Sequence, residues 1–230
     1  MSHISAVDSS SAKPCSTASD VCLDNSLPLF MMDSKNIEKL VSFFFEAGIL
    51  RKVPRAHQQT LLVNDPSDNI ASHSFRVALI GYFLAKEMKA DSDKVLKMCL
   101  LHDLEESRSG DQNWVHKKYV KVFEDEIRKE QLEDLPDSGE FFSLSNEYAE
   151  RQTVEAKIAK DADLLDQIFI LKEYQLQGNK EAEDWLKLSS EGSNQQEKRM
   201  HTDLAKQIAL EAKKTSPSAW WEDLWTSERR

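Results

Sequence analysis

The sequence predicts an all-α fold. From Ser34 onward apolar residues recur every three or four positions, and Gly48, Pro136, Gly178, Gly192 and Pro217 divide the chain into segments of helical length. No stretch nominates itself as a strand. At 230 residues the chain has room for one sizeable core, whereas two domains would both be small, so a single domain over 34–225 preceded by a tail over 1–33 is expected.

The elements follow in order. Residues 1–33 are rich in Ser, Ala and Asp with little periodicity, which predicts a disordered tail that cannot bury enough apolar surface to offset its ordering entropy. Met31 and Met32 permit a second reading, a start codon assigned too far upstream; a transit peptide ranks third because the stretch lacks arginine. Ile37, Leu40, Val41, Phe44 and Phe45 predict a helix over about 33–49, closed by Gly48. Pro54, Pro66 and the turn-like NDPSDN make 51–69 an extended connector, suited to lining a site. In the next helix, about 70–89, Val77, Ile80, Leu84 and Met88 form an inward stripe, and His73 lies on it one turn before Val77. Asp91 and Ser92 offer capping oxygens to a helix over about 93–106, where Val95 and Cys99 share a face with His102. Further helices are expected at about 114–131, 139–177, 182–190, 195–214 and 217–225. The charged run KKYVKVFEDEIRKEQLED reads as a solvated helix face.

Charge narrows the function classes. Forty acidic against 30 basic residues give a formal net charge of −10, which argues against polymeric nucleic acid and anionic membranes as partners. A small phosphate ester stays accessible if a metal ion or a local arginine offsets that field. Cys15, Cys22 and Cys99 form no C-x-x-C pair, no segment has the apolar length of a membrane span, and no secretory signal is evident, so a soluble, cytoplasmic protein is expected.

The chemistry-bearing residues converge on a metal. A single inward histidine is more often a satisfied core residue than a ligand. Here His73 and His102 occupy consecutive helices, both facing inward, and Asp103 follows His102 with a carboxylate that is costly to bury without a cation. Imidazole and carboxylate together suit a divalent transition metal. In AKIAKDADLLDQ, Asp163 shares a face with the small residues Ala156 and Ala159, whereas Asp161 and Asp166 are read as lying elsewhere around the helix. Spacing alone leaves Asp163 open between a ligand and a solvated acid.

ASHSFRVA at 71–78, LLHDLEESRSGD at 100–111 and EAKIAKDAD at 155–163 resemble the three signature segments of HD-domain metal-dependent phosphohydrolases, nearest their 5'-deoxynucleotidase branch. The resemblance covers about residues 37–177. It implies a compact HD-domain helical bundle with His73, His102, Asp103 and Asp163 holding a divalent ion (Mn, Co, Mg, Fe, Ni or Zn). It places Glu106 and Asp111 in catalysis, with Glu106 one helical turn past the His-Asp pair to handle the attacking water, and Gly110 letting the chain turn Asp111 toward substrate. Glu105 is read as structural. Arg55 resembles the family's connector arginine and, with Asp111, would bind substrate; on its own it reads equally as a surface arginine. Two stretches depart from the family pattern: Arg55 is followed by Ala-His-Gln-Gln-Thr where an aromatic is common, and Gly110-Asp111 by Gln-Asn-Trp where a proline-containing turn is common. His57 reads as a surface histidine rather than a phosphate contact.

The implied activity is hydrolysis of (deoxy)nucleoside 5'-monophosphates to nucleoside and phosphate. The alternatives are a deoxynucleoside triphosphate triphosphohydrolase, which the few basic residues flanking the motifs disfavour, and a non-catalytic HD-domain binding module. The expected partners are thus a small-molecule nucleotide, no polymeric nucleic acid and no membrane, with a homodimer left open.

Overall fold

The computed structural model describes residues 33–187 and 194–224; residues 1–32 of the tail expected over 1–33 and the far end of the helix expected at 182–190 lie outside the described residues. The described residues form helices joined by turns, with no strand: α1 (Ser34–Ala47), α2 (His57–Leu61), α3 (Ile70–Glu87), α4 (Ser92–Leu101), α5 (Glu106–Ser109), α6 (Trp114–Tyr119), α7 (Glu124–Leu132), α8 (Ser138–Glu150), α9 (Val154–Leu176), α10 (Lys180–Leu186), α11 (Gln195–Arg199) and α12 (Asp203–Lys214). The predicted all-α class is therefore observed. None of these helices is long and apolar enough to cross a membrane.

The long helix α9 is the axis of the core. It packs against α3, α4, α8, α10, α11 and α12, and its small residues Ala156, Ala159 and Ala162 are fully buried, so neighbouring backbones come close. Gly81 does the same where α3 crosses α4: a Cβ there would lie 2.6 Å from Cys99 Sγ and 3.0 Å from Val95 Cγ1. Val77, Leu84, Val95, Met98, Leu165 and Ile168 fill the space between these helices. A smaller core of Leu50, Ile70, Leu104, Leu132 and Leu135 lies under α1, and Leu40 and Phe43 pack on it.

Four long helices predicted from periodicity are interrupted in the structure. The helix expected over 93–106 stops at Leu101, with His102 as its C-cap. Those expected over 114–131, 139–177 and 195–214 each divide in two, separated by 120–123, 151–153 and 200–202. Capping explains two of the breaks: Thr153 and Thr202 accept the N–H groups of Ala156 and Ala205 and start new helices. Periodicity runs through such breaks because both halves face the same core. Asp91 caps α4 as expected, through Asp93 N and Lys94 N.

Other boundaries also move. Residues Gly48–Lys52 form a 3-10 turn after α1, and the segment expected as a helix over 217–225 is a 3-10 turn at Ala219–Leu224. The connector is more ordered than an extended strand, since it contains α2 and is closed by an antiparallel bridge between Pro54 and Asn69. On α1 the apolar stripe is only partly buried, and Ile37, Val41, Phe44 and Phe45 are exposed. Leu40 and Phe43 face the small core instead. A helix with apolar residues on more than one side gives periodicity no single answer.

Candidate functional site

Asn69 caps α3 by accepting the N–H of Ser72, and the first turn of that helix then carries His73 into the interior. The Nε2 atoms of His73 and His102 face each other at 3.2 Å. His102 Nδ1 donates to Cys99 O at 2.8 Å, and His73 Nδ1 lies 2.6 Å from Asp166 Oδ2, so each ring commits Nδ1 to an acceptor and turns Nε2 inward, where a metal ion would displace any proton held there. Asp103, in the turn after α4, brings Oδ2 to 3.1 Å from His102 Nε2 and 3.4 Å from His73 Nε2. Asp163 on α9 brings Oδ1 to 3.4 Å from His73 Nε2. Ligand atoms of His73, His102 and Asp163 all lie within 4.8 Å of one another.

Two inward imidazole nitrogens and two carboxylates at one point form a donor set that fits a divalent cation. The electrostatics agree. Burial and Arg55 oppose a charge on His73, yet its bonds to Asp103, Asp163 and Asp166 outweigh them and push its pKa up to about 10. Burial opposes ionisation of Asp103, but His102 and His73 hold it well below the usual range. Asp163 is likewise depressed against its burial, by Lys160 and the two histidines. Glu106 goes the other way: burial, then repulsion from Asp103 and Asp111, raise it to about 10. Its Oε2 is buried with no hydrogen-bond partner.

The connector supplies a buried cation. Arg55 is buried rather than a surface arginine. Its Nε lies 3.5 Å from Asp111 Oδ2 and its Nη1 3.7 Å from Asp166 Oδ2. Both nitrogens are buried without a hydrogen-bond partner, so the guanidinium keeps donors in reserve. Burial works against its charge, but Asp111, Asp103, Asp166 and Asp163 raise its pKa further. Gly110 adopts φ +70°, which a side chain would resist, and the chain folds back so that Asp111 Oδ2 accepts the N–H of Ala56 at 2.7 Å. Asp111 thus braces Arg55 and its neighbour together.

Arg55, His102, Asp103, Glu106, Asp111 and Asp163 line one cavity of about 480 Å³. Glu106 reaches it differently from the sequence expectation, because it opens α5 after a turn instead of extending the helix of His102. Glu105 also borders the cavity but pairs with Arg128 at 3.2 Å. His57 is corrected: it is buried, and its Nε2 lies 2.6 Å from Asp68 Oδ2, which also accepts the Tyr174 hydroxyl at 2.9 Å. It ties the connector to α9. The neighbourhood is also more basic than the motif flanks suggest, since Lys117, Arg151 and Arg199 arrive at the same cavity from three other helices or their ends.

Two residues were missed in the sequence. Asp166 is not elsewhere around α9: it lies one turn from Asp163 on the same side and holds His73, while Arg76, one turn past His73, donates its Nε to Asp166 and its Nη1 to Glu173 at 2.6 Å. The signal was the pairing of two i, i+3 spacings, His73/Arg76 and Asp163/Asp166. Asp161 does serve another purpose, accepting His201 N and Thr202 N at the start of α12.

Comparison with known proteins places this arrangement. The 5'-deoxynucleotidase HDDC2 of Dictyostelium discoideum is 30% identical over 184 residues, covering 74% of this chain and 95% of that protein. The Xenopus laevis protein of the same name is 28% identical over 60% of this chain and 70% of its own length. A conserved hypothetical protein from Pyrococcus furiosus superposes with a TM-score of 0.60 at 29% identity, over 76% of this chain and 99% of that one. The HD-domain family model matches residues 47–205, from the end of α1 into α12, and the chain belongs to that family.

Proposed function

We propose that this chain is a metal-dependent 5'-nucleotidase that hydrolyses (deoxy)nucleoside 5'-monophosphates to nucleoside and phosphate. The observation that carries the reading is the convergence of the His73, His102, Asp103 and Asp163 donor set, the last three of which line the cavity, with an Arg55 guanidinium that lines the same cavity and whose Nε and Nη1 make no hydrogen bond. The names of the Dictyostelium and Xenopus relatives support the same substrate class.

In this reading the four donors hold a divalent ion, which when bound supplies Lewis-acid polarisation and makes water easier to deprotonate. Arg55 binds a phosphate oxygen in a planar fork that lysine would not reproduce. Asp111 fixes that fork and the Ala56 N–H beside it. Glu106 takes the proton of the attacking water: burial and its acidic neighbours raise its proton affinity, and a cation held by the four donors would bring that affinity back toward the working range. As the water oxygen bonds to phosphorus the bond from phosphorus to the 5'-oxygen breaks, and the proton passes to that leaving oxygen.

One observation favours a second reading. Lys117, Arg151 and Arg199 on the cavity could take further phosphates, as a triphosphohydrolase requires. The test is to load the purified protein with Mn, Co or Mg and to identify the product from a panel of nucleoside mono- and triphosphates. Inorganic phosphate from monophosphates is expected. Release of triphosphate, or no turnover of any monophosphate, would overturn the proposal.

A further inference from the structure

The cavity holds an aromatic side chain that the phosphate chemistry leaves unused. Trp114 opens α6 and lines the cavity that contains Arg55 and Glu106, yet it is 58% exposed. Tyr148, the other aromatic there apart from histidines, is already engaged. Its ring meets His102 with centroids 5.6 Å apart, and the Arg151 guanidinium lies 5.8 Å from its centre. The connector contributes no Phe, Tyr or Trp after Arg55. Trp114 is the cavity's exposed aromatic surface.

That surface is held in place. Trp185 of α10, half-buried against the main core, supports the indole with ring centroids 5.1 Å apart. The preceding residue, Asn113, is buried and fully engaged: its oxygen accepts Val115 N and His116 N, and its amide donates to Ala56 O and Gln59 Oε1, each at 2.9 Å. Ala56 is the neighbour of Arg55 and gives its N–H to Asp111. The indole and the phosphate-facing guanidinium are therefore tied to the same short stretch of connector. A side chain of this size left open to water forgoes burial, and a flat ring laid on it would recover that area.

We propose that Trp114 is the platform on which the substrate's heterocyclic base stacks while Arg55 holds its phosphate. This rests on the nucleotidase reading for the phosphate end only; the stacking can be observed without turnover. The ligand class is a phosphate ester whose far end is a planar aromatic ring, so Trp114 sets preference for nucleotides over simple sugar phosphates. Base-on-aromatic stacking is sequence-tolerant, and the platform should serve purines and pyrimidines alike.

The test compares wild type, Trp114→Phe and Trp114→Ala on a deoxynucleoside monophosphate and on deoxyribose 5-phosphate, which lacks the base. In Trp114→Ala the preference in kcat/KM for the nucleotide over the sugar phosphate should fall about 5- to 150-fold, chiefly through KM, and Trp114→Phe should keep most of it. In parallel, nucleotide added to the metal-loaded wild type should quench tryptophan fluorescence, and Trp114→Ala should lose that quench. An unchanged preference, or equal losses on both substrates, would overturn the platform and leave Trp114 a packing residue. If wild type turns over neither substrate, the nucleotidase reading fails by itself. The fluorescence arm then decides: a quench lost in Trp114→Ala upholds the platform, and no Trp114-dependent quench sinks it.

Discussion

The Nδ1 of His73 lies 2.6 Å from Oδ2 of Asp166, a residue ninety-three positions later in the chain. A carboxylate can only accept there, so the imidazole proton is held on Nδ1 and Nε2 is left to face Asp103 and Asp163. Arg76 donates to the second oxygen of Asp166 and keeps it from rotating. Asp166→Asn should weaken binding of Mn or Co by about 10- to 100-fold with the fold intact, as measured by calorimetric titration. Arg76→Ala should show a smaller loss in the same direction. Unchanged affinity in Asp166→Asn would mean that packing alone orients His73.

Gly81 gives a prediction about stability rather than chemistry. Gly81→Ala adds helix propensity of roughly 1 kcal/mol, but its Cβ would press on the buried Cys99 Sγ and on Val95 at the crossing of α3 and α4. Overpacking of that kind costs roughly 1–3 kcal/mol. The net effect should be destabilising in urea melts. Adding Cys99→Ala should return part of the loss, because the two changes share one space and will not add.

Glu46 at the end of α1 receives the Arg108 Nε at 2.5 Å, the Arg108 Nη2 at 3.0 Å and the Gln131 amide at 2.7 Å. The hydrogen bond from Arg108 is the largest influence on its carboxyl and, against partial burial, lowers its pKa. A folded-state pKa below the unfolded value means that stability is fully present above the unfolded pKa, near 4.5, and is lost as pH falls through the folded value. Glu46→Gln should therefore cost roughly 1 kcal/mol near neutrality and much less in acid. Melting curves of the two proteins should converge only as pH falls through the lowered folded-state pKa of Glu46; a constant gap would mean the charge contributes nothing.

The parts of this molecule that were legible in the sequence share one property: their signal is local. The inward stripes of α3 and α4 placed His73 and His102 inside, and the small residues before Asp163 marked a close helix contact, while the set of four donors came from the resemblance of the three motif segments to a known family. Asp166 and Arg76 were illegible singly because each becomes meaningful only beside the other helix. His57 looked like a surface residue because its partner, Asp68, is eleven residues away and is itself held by Tyr174 from α9. Helix breaks at Thr153 and Thr202 hid in continuous periodicity, although both residues carry a cap oxygen that a stricter search for capping positions would have found. Arg199 lies far from the motifs in the chain and only folding brings it to the cavity, whereas Lys117 and Arg151 stand close beside the second and third motifs and nothing local marks them as facing inward.

Glu106 separates holding the ion from using it. It stands outside the group of His73, His102 and Asp163 that could share a cation, and its buried Oε2 makes no hydrogen bond, so no protein group competes for that oxygen. If it serves the attacking water, Glu106→Ala should keep its metal and its affinity for a deoxynucleoside monophosphate while losing about two to four orders of magnitude in turnover. Asp103→Ala should lose metal and turnover together, because Asp103 lies against both Nε2 atoms. Turnover, metal content by elemental analysis and nucleotide affinity must be read on the same preparations, since a folding defect would lower all three. Loss of metal in Glu106→Ala would make the residue a ligand or its support. Wild-type turnover would remove it from the proton transfer and leave Asp111, the other acid between the cavity and Arg55, as the group to test next.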